Sequence, residues 1–126
     1  MFWEVRQALL LNRLAAAPGV GGGPVMAART PIQMATAGGA ALLGRSDIGR
    51  IAPGCAADLI AVDLDRIGWS GGLHDPVAAI ALCGLSRVDH SWVGGRPVVV
   101  AGELSTVELE PLMRAHEAAS LRLVNG

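Results

Sequence analysis

The sequence predicts an α/β chain in which short strands are set between helices, and three observations predict it. Residues 47–63 hold a Pro53-Gly54 turn followed by the apolar run Leu59–Val62, and Gly94-Gly95 joins two β-branched runs. Apolar residues also recur at helical spacing toward both ends of the chain.

The first helix is expected over residues 2–14. Phe2, Val5 and Leu9 repeat at helical spacing, and so do Trp3, Leu10 and Leu14, leaving a narrow polar strip of Glu4, Arg6, Gln7 and Arg13. A helix that is apolar on nearly every side packs against more than one neighbour. This one opens the chain with no element before it, which leads us to expect a packing partner from preceding sequence. Residues 18–24 follow as a glycine-rich connector. They match neither GxGxxG after a strand nor GxxxxGK[ST], so a phosphate cradle is not supported.

Thr30 and Gln33 stand at capping-box spacing with Pro31 at the first helical position, predicting a second helix to about Leu43 with Gly44 past its end. Gly38 and Gly39 inside it each cost about 1 kcal/mol relative to alanine, so another backbone is expected to approach closely there. Residues 47–63 read as two short strands around Pro53-Gly54. Leu59–Val62, bounded by Asp58 and Asp63, has the pattern of a strand buried on both faces.

Residues 65–74 form a loop containing Trp69. Asp75 as N-cap and Pro76 as first helical residue then begin a short helix over residues 76–82. Val88–Val93 and Arg96–Val100 flank Gly94-Gly95 as a hairpin, after which Ala101-Gly102-Glu103 is expected to turn the chain out of the sheet. A terminal helix over about Thr106–Leu123 contains Pro111, which either kinks it or marks where its regular part begins.

Composition narrows the functional classes. The chain has 126 residues, of which 52% are hydrophobic and 17% charged. With a mean hydropathy of +0.45, little polar surface is left to cover a compact monomer, and a larger body or self-association is expected to bury the excess. All ten cations are arginine and they are scattered, with a net charge of -1; no basic stripe points to nucleic acid or anionic lipid. No apolar run approaches the roughly 20 residues of a membrane span, and the start lacks the order of a secretory signal. Cys55 and Cys83 lie in apolar surroundings and read as buried thiols in a cytoplasmic protein.

The residues able to carry chemistry do not form a pattern. His74, His90 and His116 are isolated, without HxH, HExxH or CxxC. His74 beside Asp75 is the one candidate pair, and a loop residue before a helix cap explains it. Ser70, Ser86, Ser91 and Ser105 have no nucleophile-elbow setting. Asp58 and Asp63 read as strand ends that bond to turns, and Cys83 has no base near it in sequence. Phe2, Trp3, Trp69 and Trp92 are too dispersed to stack bases. We therefore expect no catalytic, cofactor-binding or metal-binding residue in this chain.

The segment Gly49-Arg50-Ile51-Ala52-Pro53-Gly54-Cys55-Ala56-Ala57-Asp58-Leu59-Ile60-Ala61-Val62-Asp63 resembles the G-x-I-x-x-G-x-x-A-D-L-x-x-x-D segment of the amidohydrolase superfamily. The stretch from Ala35 to Gly44 is similar to the helix before that segment, and Val93–Leu104 to the closing hairpin. Trp3–Leu11, His74–Ile80 and Arg87-Val88-Asp89 look most like the 8-oxoguanine deaminase and hydroxyatrazine-type aminohydrolase branch.

The resemblance implies a fold and a division of labour. The chain would be the C-terminal fragment of a (β/α)8 barrel joined to strands of a small composite β-sandwich and a terminal helix. Residues 1–46 would be the last barrel helices, 47–104 the sandwich strands with the short helix at 76–82, and 105–126 the C-terminal helix. Such enzymes hold zinc or another divalent metal at the strand ends of the barrel, and the metal-activated water releases ammonia from a heterocyclic ring. The resemblance covers only the last quarter or so of such an enzyme, so the ligands and the proton-shuttling glutamate are expected before Met1, in the barrel. It implies an inactive piece of a hydrolase for a purine-like or triazine-like ring. The alternative is a non-enzymatic assembly module that keeps the scaffold.

Overall fold

A computed structural model describes residues 1–126, and in it a short helix serves as the hinge of the packing. That helix, Pro76–Cys83, is apolar along its whole length. One side presents Ala81 to Val5 and Leu9 of the first helix, while Ala79 packs with Trp69 and Leu85. Alanines here let the neighbouring elements come close, so a helix of eight residues carries two small cores.

The elements in order are α1 (Phe2–Ala15), α2 (Arg29–Gln33), a π turn (Met34–Gly38), α3 (Gly39–Leu42), β1 (Leu59–Ala61), a 3-10 turn (Ile67–Trp69), α4 (Pro76–Cys83), β2 (His90–Val93), β3 (Arg96–Val100), β4 (Glu103–Leu104) and α5 (Leu109–Asn125). The strands form one antiparallel sheet in the order β1-β2-β3-β4.

α1 forms where expected, but it buries one face only. Val5 and Leu9 are enclosed, while Trp3, Leu10, Leu11 and Leu14 face outward. Arg6 ties it to α4, its Nε donating to the Leu82 carbonyl at 3.0 Å while its guanidinium lies 5.8 Å from the Trp3 ring centroid. The connector is pinned at its far end, where the Met26 N–H donates to Asn12 Oδ1 at 2.7 Å.

The second helix begins two residues earlier than its capping signal suggests. Ala28 is the N-cap and no side chain caps it, so Thr30 and Pro31 lie inside the first turn and the capping box does not form. Its end follows the sequence closely. Gly44 has φ +65°, its N–H bonds to Ala41 O, and the Arg45 N–H bonds to Ala40 O, the pairing of a Schellman motif.

Gly38 and Gly39 do not receive another backbone; an added Cβ there would meet only atoms of their own helix at 3.4 Å or more. The close approach is made by Gly49, at φ +80°, where a Cβ would stand 2.7 Å from Thr36 O and 2.8 Å from Ala40 Cβ. The glycine pair instead spans the junction of the π turn, which Gly38 ends, with α3, which Gly39 begins.

In the 47–63 stretch the turn is as expected and the first strand is absent. The Cys55 N–H bonds to Ala52 O across Pro53-Gly54, with Gly54 at φ +82°, a type II turn. The two arms share one ladder-like bond, Ala56 N–H to Asp47 O at 2.7 Å, and only β1 is a strand. Nor is β1 buried on both faces: it is an edge strand, and Ile60 stays 45% exposed.

The hairpin turns at Gly94 (φ +56°) and Gly95 (φ +77°), pairing Val93 with Arg96, and the positive φ at both positions is the type I′ geometry. Register slips between Ser91 and Trp92, opposite Pro97, which has no N–H to give the ladder. Ala101-Gly102 does not lead the chain away from the sheet. Both residues adopt positive φ (51° and 81°) and reverse the chain into β4, pairing Val100 with Glu103. α5 places Pro111 in its first turn, where its missing N–H costs no helical bond, and buries none of its residues.

Candidate functional site

The histidines and the other candidate groups are held apart. His74 lies in an exposed turn, with Nδ1 3.1 Å from Gly71 O, while Asp75 is occupied as N-cap of α4, accepting from the Ala78 N–H at 3.0 Å. His90, on β2, stacks on Trp92 at 5.6 Å and 18°. His116 belongs to α5. Cys83 closes α4 with an exposed thiol rather than the buried one expected, because α4 turns its alanines to the two cores.

No three His, Cys, Asp or Glu side chains come together in a geometry able to hold a metal ion. The residues present therefore do not fit the zinc that the resemblance implies. Asp58 and Asp63 bond to turns: Asp58 Oδ1 accepts from the Gly94 N–H at 2.7 Å, and Asp63 Oδ1 from the Asp65 N–H at 2.9 Å.

The most constrained polar residue is Asp89, which sequence reasoning did not single out. It is only 7% exposed. One carboxylate oxygen accepts the Asp63 N–H at 2.7 Å and the other accepts the Arg66 guanidinium. Its own N–H donates to Ala61 O, and its carbonyl accepts from the Gly102 N–H. The Asp63 amide, joined by Arg66, holds this carboxyl below the usual carboxylate range against the opposing effect of burial. Asp89 thus ties the end of β1, the 65–74 loop and the β3–β4 turn to the start of β2. An acid immediately before a strand gave little signal, because its partners lie 23 and 26 residues away.

A mostly apolar cleft of about 660 Å³ lies where α1, α2, the π turn, α4 and strands β1 and β2 leave a gap. Phe2, Ile32, Leu59, Ile60, Ile80 and Trp92 form its apolar wall. Arg29, Gln33, Thr36, Asp58 and Ser91 are the polar groups among its lining. Two of these are already engaged, since Thr36 Oγ1 donates to Ile32 O at 2.8 Å and Asp58 accepts from the hairpin turn. A wall of this kind suits apolar contact rather than acid–base chemistry.

Residues 1–100 match the Amidohydrolase family. Over all of its length the chain is 42% identical to an 8-oxoguanine deaminase of Pseudomonas aeruginosa, covering 27% of that protein. It is 40% identical over 104 residues to a hydroxydechloroatrazine ethylaminohydrolase of Pseudomonas sp. (strain ADP), with 82% of this chain and 22% of that one covered. Among solved structures, an adenosine deaminase from Xanthomonas campestris with bound zinc superposes with a TM-score of 0.83 at 31% identity, over 100% of this chain and 28% of that one. The chain therefore spans about a quarter of the length of the curated relatives it matches.

Proposed function

Because this chain belongs to the amidohydrolase family, we propose that it is the scaffold portion of a metal-dependent hydrolase that deaminates a purine-like or triazine-like ring, and that it is inactive alone. The observation that carries the reading is its 42% identity, along its whole length, to a deaminase of 8-oxoguanine. The names of the relatives, an 8-oxoguanine deaminase and a hydroxydechloroatrazine ethylaminohydrolase, support this substrate class. The scattering of His74, His90, His116 and Cys83 supports assigning the metal ligands and the proton-shuttling group to residues outside this chain.

In this reading residues 1–46 are the last helices of a (β/α)8 barrel, 47–104 contribute strands to a composite sandwich, and 105–126 are a terminal helix of a cytoplasmic enzyme. The chemical task of the chain is mechanical. It holds the barrel closed and water-excluding while ligands elsewhere meet the ring. The mixed helices and small antiparallel sheet match those of family structures, which is the level at which the fold supports the assignment.

The test is a chimera in which this chain replaces the matched segment of the Pseudomonas aeruginosa 8-oxoguanine deaminase. We expect the chimera to bind stoichiometric zinc and release ammonia from 8-oxoguanine, and the chain alone to do neither. Ammonia release by the chain alone, with zinc bound, would overturn the reading. A folded, zinc-loaded chimera without deaminase activity would favour the non-enzymatic assembly module.

A further inference from the structure

We draw no further inference here: the strongest candidate, the cavity of about 310 Å³ lined by Arg66, Cys83 and Arg87 between the 3-10 turn and the link from α4 to β2, carries nothing because both guanidiniums are already bonded within the chain, to Asp89 and to the Gly102 carbonyl, and no group there other than the lone Cys83 thiol points to a ligand.

Discussion

The Asp89 carboxylate accepts the backbone N–H of Asp63 at 2.7 Å, and this bond anchors the chain as it leaves β1 for the loop that carries Trp69. Asp89 is buried and also pairs with Arg66, so removing its carboxylate leaves the Asp63 amide without an acceptor and Arg66 without its buried partner. Asp89→Ala is expected to destabilise the chain more than Asp63→Ala, whose side chain is half exposed and bonds only within its own turn and, at 3.7 Å, to Arg66. Urea unfolding of the two variants checks the order.

The same bond predicts an acid limb. The folded state holds the Asp89 carboxyl below its ordinary value, so the folded chain binds fewer protons there than the unfolded chain does near pH 4. Its stabilising contribution is complete above the unfolded value of about 3.9 and is lost as pH falls through the lower folded value. The urea midpoint should therefore fall more steeply below about pH 4 in the parent than in Asp89→Asn; parallel slopes would remove Asp89 as the cause.

Leu9 is fully enclosed between α1, α4 and the second helical segment. Leu9→Ala should cost about 2–4 kcal/mol, since a core this small has few neighbours able to close over the cavity. Chemical denaturation with an unchanged slope would confirm a stability effect without loss of compactness.

Two glycine substitutions should have opposite signs. Gly49→Ala places a methyl 2.7 Å from Thr36 O at φ +80°, and should destabilise by about 2–4 kcal/mol through clash and backbone strain. Gly39→Ala lies in a helix where an added methyl would meet only Met34 O, at an ordinary 3.9 Å, and should stabilise by about 0.5–1 kcal/mol. Thermal unfolding of both variants reads the signs directly.

Asp75→Ala removes the acceptor for the Ala78 N–H at the start of α4. The expected cost is about 1 kcal/mol, with Asp75→Ser restoring most of it. Because α4 bridges both cores, hydrogen exchange should quicken first at Ala79 and Ala81.

Local signals were legible where they are written in adjacent residues. Asp75-Pro76, Gly94-Gly95, Pro53-Gly54 and the Gly44 helix end each specify a backbone conformation through one or two side chains, and each appears as read. The readings that failed depended on neighbours. Thr30 and Pro31 did not cap, because the helix began at Arg29; the strand before Pro53 found no partner; and Ala101-Gly102 returned the chain to the sheet as β4. The Asp89 network was invisible for the same reason, its partners being distant in sequence.

By itself, then, the sequence determined the family, the Asp75 cap, the Gly44 helix end and the Pro53-Gly54 and Gly94-Gly95 turns, because motif residues and local backbone preferences need no distant partner. Only the tertiary structure decided which apolar faces close on one another and which stay open. Val5 and Leu9 found Ala81, while Ile60 and Trp92 were left lining a cleft, because burial depends on which surfaces meet in space and not on hydrophobicity alone.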